Sequence, residues 1–110
     1  MSERKPYIGA VVQYILSKQD CEEINRRRRY AHGAEGRLSW PDGAQAHTGN
    51  EAREGQIAPM VIVAVWGASA TSCVNGQVLL DGNDSYWALS RNRADELNTT
   101  GVWDWIEEQQ

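Results

Sequence analysis

The chain has 110 residues, 41% apolar and 24% charged, with a net charge of −4. That length holds one domain and one modest core, with no room for a second. Residues 1–56 carry nine Lys or Arg against eight Asp or Glu, and residues 57–110 two against seven, a net of −5. A basic patch is therefore confined to the first half, and general nucleic-acid binding is excluded as an expectation. Five Trp and four Tyr occur without a single Phe, a choice that suits half-exposed or interfacial positions as well as a core. No apolar run approaches the roughly 18 residues that would span a bilayer. A secretory h-region is also missing from MSERKPYIGAVVQYIL, so no membrane association is expected. Cys21 and Cys73 form no paired motif and read as free thiols of a reducing compartment, as expected of a soluble intracellular protein.

Residues 1–8 read as a flexible polar tail. Ala10–Leu16 is a β-run, nearly apolar throughout, which fits a strand covered on both faces or paired at the edge of a core. Ser17 then reads as a helix N-cap, with Asp20 three residues on in a variant of the capping box. Acidic Asp20, Glu22 and Glu23 near the start and Arg26–Arg29 near the end complement the helix dipole. Cys21, Ile24, Arg28 and Ala31 form a narrow stripe, so the helix should lie on the surface of a sheet and end near His32-Gly33.

Periodicity vanishes from Gly33 to Gln56, a long Gly-rich loop with turns expected at Pro41-Asp42-Gly43 and Gly49-Asn50 and with Leu38 and Trp40 as tacking points. A loop of this length is either functional or disordered. Ile57–Trp66 is the most hydrophobic segment and has no charge. It reads as a central strand apolar on both faces, with Pro59 restricting its start to about Met60.

Val74–Arg91 contains two short apolar runs joined by Asp81-Gly82-Asn83-Asp84, the signal for a β-hairpin. A four-residue loop would set Val78 across from Trp87 and Leu79 across from Tyr86. The hairpin then has a Trp face and a Tyr face, of which one is core. A polar connector with a possible turn over Ala94–Leu97 leads to a last strand, Gly101–Glu107, with Trp103 and Trp105 on one face. Together these elements specify an α+β fold. Its expected form is a small, strongly bent antiparallel sheet or SH3-like barrel of four or five strands, with one helix packed on it and a long Gly-rich loop.

Chemistry is sparse. His32, His47, Cys21 and Cys73 have no ligand spacing, and Asp81–Asp84 lacks the remaining ligands of a calcium loop and reads as a turn. Neither a nucleophile elbow nor a phosphate-binding glycine loop is present, so no catalysis, metal or cofactor is expected. Two groupings could hold an anion. One is Arg26, Arg27, Arg29 and Tyr30, whose guanidinium groups match phosphate bidentately. The other is Trp40, Trp87 and Trp103 with Arg91 and Arg93, where an aromatic ring stacks a base and a guanidinium holds its phosphate.

VVQYILSKQDCEEINRRR, GNEAREGQIAPMVIVAVWG, VNGQVLLDGNDSYWALSR and TGVWDW together resemble a family of small uncharacterised proteins from actinobacterial phages and prophages. The likeness rests on the Leu80–Trp87 hairpin, the Gly49–Pro59 approach to the central strand and the terminal Gly101–Trp105 strand. Ile106 stands where that family tends to have proline. The order Trp87, Ser90, Asp95, Leu97, Asp104-Trp105 is also similar to small phage proteins that sequester nucleotide-derived immune signals. The family resemblance implies a phage or prophage origin, a single domain and a host cytoplasm, but no activity. The arginine run and the Trp and Arg residues of the second half, around the long loop, give the leading expectation. That is a non-enzymatic accessory protein that binds a small anionic, nucleotide-derived ligand and antagonises host defence. The alternatives are a virion head or tail component, or an adaptor that inhibits one host protein. A homo-oligomer is expected on general grounds.

Overall fold

A computed structural model describes residues 4–32, 50–82 and 84–106; the expected turn at Pro41–Gly43, Trp40, Leu38 and His47 lie outside them. Six elements follow in order: β1 (Val11–Ile15), α1 (Lys18–His32), β2 (Ile57–Trp66), β3 (Cys73–Leu79), β4 (Ser85–Arg91) and β5 (Val102–Asp104). The strands form one antiparallel sheet in the order β4-β3-β2-β1-β5, curled into a half-barrel, so the α+β expectation holds. Just past β4, Arg93 forms a parallel bridge with Trp103 of β5. The sheet thus meets itself at one end, and α1 covers its open inner side. Among the described residues no helix is long and apolar enough to cross a membrane.

α1 starts as its sequence requires. Ser17 Oγ accepts from Asp20 N at 3.0 Å, and Ser17 N donates back to Asp20 Oδ2 at 3.0 Å. Both are backbone donors that the first turn of a helix leaves unpaired. Asp20, Cys21, Ile24 and Arg28 form the buried stripe. The core they cover comprises Val12, Tyr14 and Leu16 of the β1 segment, Met60 and Ile62 of β2, Val74 and Val78 of β3, and Ala88 of β4. Trp103 and Trp105 fill the closed end, meeting edge to face with centroids 5.8 Å apart. The start of the chain, expected as a loose tail, lies against Trp105 at residues 4–7. Arg4 stacks over that indole at 3.9 Å, and its carbonyl accepts from Trp105 Nε1 at 3.1 Å.

Three details differ from expectation. β2 begins at Ile57, not Met60, with Pro59 inside it. Pro59 faces Gln13 of β1, whereas pairing with β3 starts only at Met60↔Val78, so its missing N–H breaks no rung of the β2–β3 ladder. β1 and β2 are buried on one face only: Val12 and Tyr14, like Met60 and Ile62, point inward, while Val11, Ile57 and Val63 are exposed. The hairpin is shifted by one residue, pairing Val78 with Tyr86 and Gln77 with Trp87. Its Tyr face is therefore inner and its Trp face outer.

That register is set at the turn, where Leu79 pairs with Ser85 one residue earlier on β3 than a four-residue loop would give; further along, β3 carries two irregularities. Gly76 sits opposite Ile62, where an added Cβ would lie 2.8 Å from the Val61 carbonyl oxygen; only glycine lets β2 and β3 approach so closely. Beside it, bulges interrupt both ladders of β3. The Asn75 side chain stands in for the lost rungs, with Oδ1 accepting from Ser90 N at 2.7 Å and Trp66 Nε1 at 3.4 Å. Ser90 takes a φ of 54° there. In the connector beyond β4, Asp95 Oδ1 accepts from the backbones of Leu97 and Asn98, a local turn where a short helical turn was expected.

Two tryptophans are thereby separated. Trp103 is wholly buried and Trp87 is 43% exposed. Trp103→Ala should cost about 3–5 kcal/mol in urea unfolding, whereas Trp87→Ala should cost about 1 kcal/mol or less.

Candidate functional site

The arginine run of α1 is divided by the helix turn, which spreads successive side chains by about 100°. Arg28 faces inward. Its Nε and Nη2 donate to the two carboxylate oxygens of Asp84 at 2.8 and 3.0 Å, and Nη1 donates to the Asn50 carbonyl. This staples α1 to the hairpin turn and to the chain entering β2. Arg26 is held by Glu23 on the helix surface at 2.7 Å. Arg27 donates to the Ser85 carbonyl at 2.8 Å and lies over the Tyr86 ring. Arg29 and Tyr30 are exposed at the far end of the helix.

Beneath α1, Asp20 collects four donors while only 1% exposed. Oδ2 accepts from Tyr14 OH at 2.6 Å and Ser17 N at 3.0 Å; Oδ1 accepts from Tyr86 OH at 2.8 Å and Arg91 Nη2 at 3.1 Å. Burial pushes this carboxyl up, but the hydrogen bonds and the Arg91 charge outweigh it and hold it below the ordinary carboxylate range. Burial and the Asp20 carboxylate raise both the Tyr14 and Tyr86 hydroxyls above the ordinary phenol value. The cluster is closed: a carboxylate with every lone pair engaged is a structural anchor, not a base poised for proton transfer.

Arg91 marks the outer edge of this cluster. It lines an open depression of about 400 Å³ with Gln19, Glu22, Glu23, Arg26 and Tyr86. Its Nε is buried and has no hydrogen-bond partner among the described residues. Of the anion-binding candidates, Arg26 and Arg91 share this depression, and Arg27 is adjacent through Tyr86. The others lie elsewhere. Trp103 is in the core and donates from Nε1 to the Ser72 carbonyl at 3.3 Å. Arg93 is 5% exposed, paired with Asp104 at 3.0 Å and stacked over Trp103. Trp87 is on the opposite face of the sheet, and Trp40 falls outside the described residues.

The sheet's outer face carries a feature that reading each strand separately did not isolate. Val11, Gln13 and Ile15 of β1 point outward, as do Ile57, Pro59, Val61 and Val63 of β2, Gln77 and Leu79 of β3, and Ser85, Trp87 and Leu89 of β4. The register aligns Val11–Val61–Gln77–Trp87 in one row across four strands, and pairs Leu79 with Ser85 and Gln13 with both Pro59 and Asp104 of β5. No charged residue stands among the outward positions of β1 to β4. Val11, Ile57, Val63, Leu79, Trp87 and Leu89 are each 40–59% exposed. The signal was present in the uncharged, doubly apolar run Ile57–Trp66, where two-sided burial was the expected cause.

The Asp20 cluster has a pH signature. Its folded pKa lies below the unfolded value of about 3.9, so the unfolded chain binds the extra proton and stability rises with pH through that window. The contribution is complete above the unfolded value and is lost as pH falls through the folded one. Asp20→Asn should remove it, lowering stability at pH 7 by about 3 kcal/mol and flattening the acid limb of a pH–stability curve.

Comparison with protein-family models, with curated proteins and with solved structures finds no match for the chain. The likeness to phage and prophage proteins therefore rests on the hairpin and terminal-strand residues quoted above.

Proposed function

We propose that the chain is a non-enzymatic binding protein that works by docking another protein on the outer face of its sheet. One observation carries this reading: the outward positions of β1 to β4 are uncharged and mostly apolar, yet open to solvent. Monomeric proteins rarely expose contiguous apolar surface beyond a few hundred Å², and patches of that size commonly mark interaction sites. An aromatic side chain amid aliphatic neighbours, as at Trp87, is the usual composition of an interface centre. The reading accords with the virion-component and adaptor alternatives drawn from the sequence. A photo-crosslinking residue substituted for Trp87, in cells where the protein naturally acts, should give one discrete protein adduct. The same residue at Gln19 on α1 should give none. No adduct at position 87, or equal yields at both positions, overturns the reading.

A second reading keeps the anionic, nucleotide-derived ligand and the antagonism of host defence signalling. It is favoured by the depression where Arg26 and Arg91 flank Tyr86 and where Arg91 Nε lacks an acceptor. Glu22 and Glu23 on the same rim weigh against a highly charged anion. A cyclic nucleotide or ADP-ribose at about 100 times its dissociation constant should raise the melting temperature by about 10 °C. A flat thermal-shift panel removes this reading and leaves the first intact.

A further inference from the structure

We infer that the free edge of β4 takes up an extended segment of a partner protein as a further strand, with an acidic side chain of that segment directed at Arg27. β4 ends the strand order on one side and β5 on the other. The far edge of β5 is already occupied: Trp103 N donates to the Asn92 carbonyl at 3.0 Å, and the Trp103 carbonyl accepts from Ala94 N at 2.7 Å. Among the described residues, β4 is therefore the sheet edge left without a neighbour. This site goes beyond the outer-face reading and stands without it.

The ladder fixes which backbone groups are open. Ile62 N donates to the Ala10 carbonyl and the Ile62 carbonyl accepts from Gly9 N, so Ile62 is turned toward β1. By antiparallel alternation Val61 is turned to Gln77 of β3, and Val78 and Gly76 to Tyr86 and Ala88 of β4. Ser85, Trp87 and Leu89 then present their N–H and C=O groups away from the sheet. The Ser85 carbonyl accepts from Arg27 Nη2 at 2.8 Å. The main-chain groups of Trp87 and Leu89 have no partner outside the ladder among the described residues. Edges that stay unpaired are usually blunted by charge, proline or a bulge. Ser85–Ser90 has neither charge nor proline, and its bulge lies beyond Ala88. Open donors and acceptors about 6.6 Å apart match the main chain of another extended strand, and neither a helix nor a nucleotide repeats at that spacing.

The flank of α1 selects what kind of strand fits. Alternate side chains of an added strand lie on opposite faces. Those on the outer side run beside exposed Trp87 and Leu89, and those on the inner side enter the depression where Arg26 and Arg91 flank Tyr86. Arg26 is paired with Glu23 and Arg91 with Asp20. Arg27, over the Tyr86 ring, has no carboxylate partner among the described residues. Glu22 sits more than a helical turn back from Arg27, so an acidic side chain is favoured at the Ser85 end of the edge. A second copy of this chain is the poorer occupant. Arg27, held at Ser85, and Arg91 lie at opposite ends of β4. Antiparallel pairing of two β4 strands therefore brings Arg27 of each copy beside Arg91 of the other, a like-charge contact.

The test probe is a short blocked peptide of alternating valine and serine with one glutamate in place of a central serine, titrated into the full chain to about 1 mM. Binding should slow amide exchange at Trp87 and Leu89 by about tenfold or more. Methylating one alternate set of the peptide's main-chain nitrogens should abolish binding, and methylating the other set should leave it intact, because only one edge of the added strand faces β4. Replacing the glutamate by lysine, or Arg27 by glutamate in the chain, should each weaken binding about tenfold. No binding, binding without protection at Trp87 and Leu89, or equal loss with both methylated sets overturns strand addition. Equal affinity of the glutamate and lysine peptides overturns the acidic partner, and needs no variant of the chain to fold. Protection of the same two amides in the chain alone, growing with its concentration, assigns the edge to a second copy and refutes the partner. The crosslink at position 87 reports the outer face and amide exchange reports the edge, so either reading can fail alone.

Discussion

The carboxylate of Asp20 joins three parts of the chain that have no other reason to meet at that spot. It closes the first turn of α1 through Ser17, receives the Tyr14 hydroxyl from β1, and receives Tyr86 and Arg91 from β4. β1 and β4 are not neighbours in the sheet, so the cluster spans the inside of the curl and sets how tightly the sheet bends under the helix. A buried ion is costly on its own; with each oxygen doubly engaged it fixes one geometry and excludes nearby alternatives. The Arg28–Asp84 pair does the same at the far end of α1. The helix is therefore pinned at both ends by charge, and in the middle by buried Cys21 and Ile24 and by Asn25, whose side-chain amide donates to the Ala52 carbonyl and accepts from Ala52 N, each at 3.0 Å.

Ion pairs of this kind engage most of the arginines that the sequence offers to an anion. Arg26, Arg27, Arg29, Arg91 and Arg93 read as available along the sequence. Once folded, Arg28, Arg91 and Arg93 are engaged with Asp84, Asp20 and Asp104, and Arg26 with Glu23. Two of these pairs, Arg28–Asp84 and Arg91–Asp20, tie the first half of the chain to the second, and the other two neutralise charge within one half. Local charge counting could not reveal this, because the partners lie more than 50 residues apart for Arg28 and Asp84.

Local rules were sufficient where the physics is local. Ser17 and Asp20 announced the helix start three residues apart, and Gly, Asn and Asp announced the hairpin turn. The stripe that singled out Arg28 from its neighbours as inward-facing was also legible. Register was not, because it depends on where the turn closes, and pairing starts at Leu79↔Ser85 rather than one residue further along β3. A one-residue slip exchanges the two faces of a strand, and with it the fates of Trp87 and Tyr86. Pro59 misled for a related reason: its effect depends on which neighbour its missing donor would have faced. Two-sided burial of Ile57–Trp66 was a fair inference from composition, and its failure is what exposed the candidate docking face.

The three-residue strand β5 has a burden out of proportion to its length. It pairs with β1 through Tyr14↔Trp103 and neighbouring rungs, closing a loop of nearly the whole chain, whereas β3 and β4 close only a short turn. By loop-closure entropy that seam costs about 2.5 kcal/mol more to form than the hairpin. Two of the five tryptophans are concentrated at this point, with Arg93, Asp104 and Arg4 packed around them. The seam gains its stability only once the intervening strands are ordered, so damage anywhere along the sheet is felt first where the two ends of the fold meet. Loosening there would leave β1 with an unpaired edge beside an exposed apolar face, the arrangement from which strand-to-strand aggregation begins.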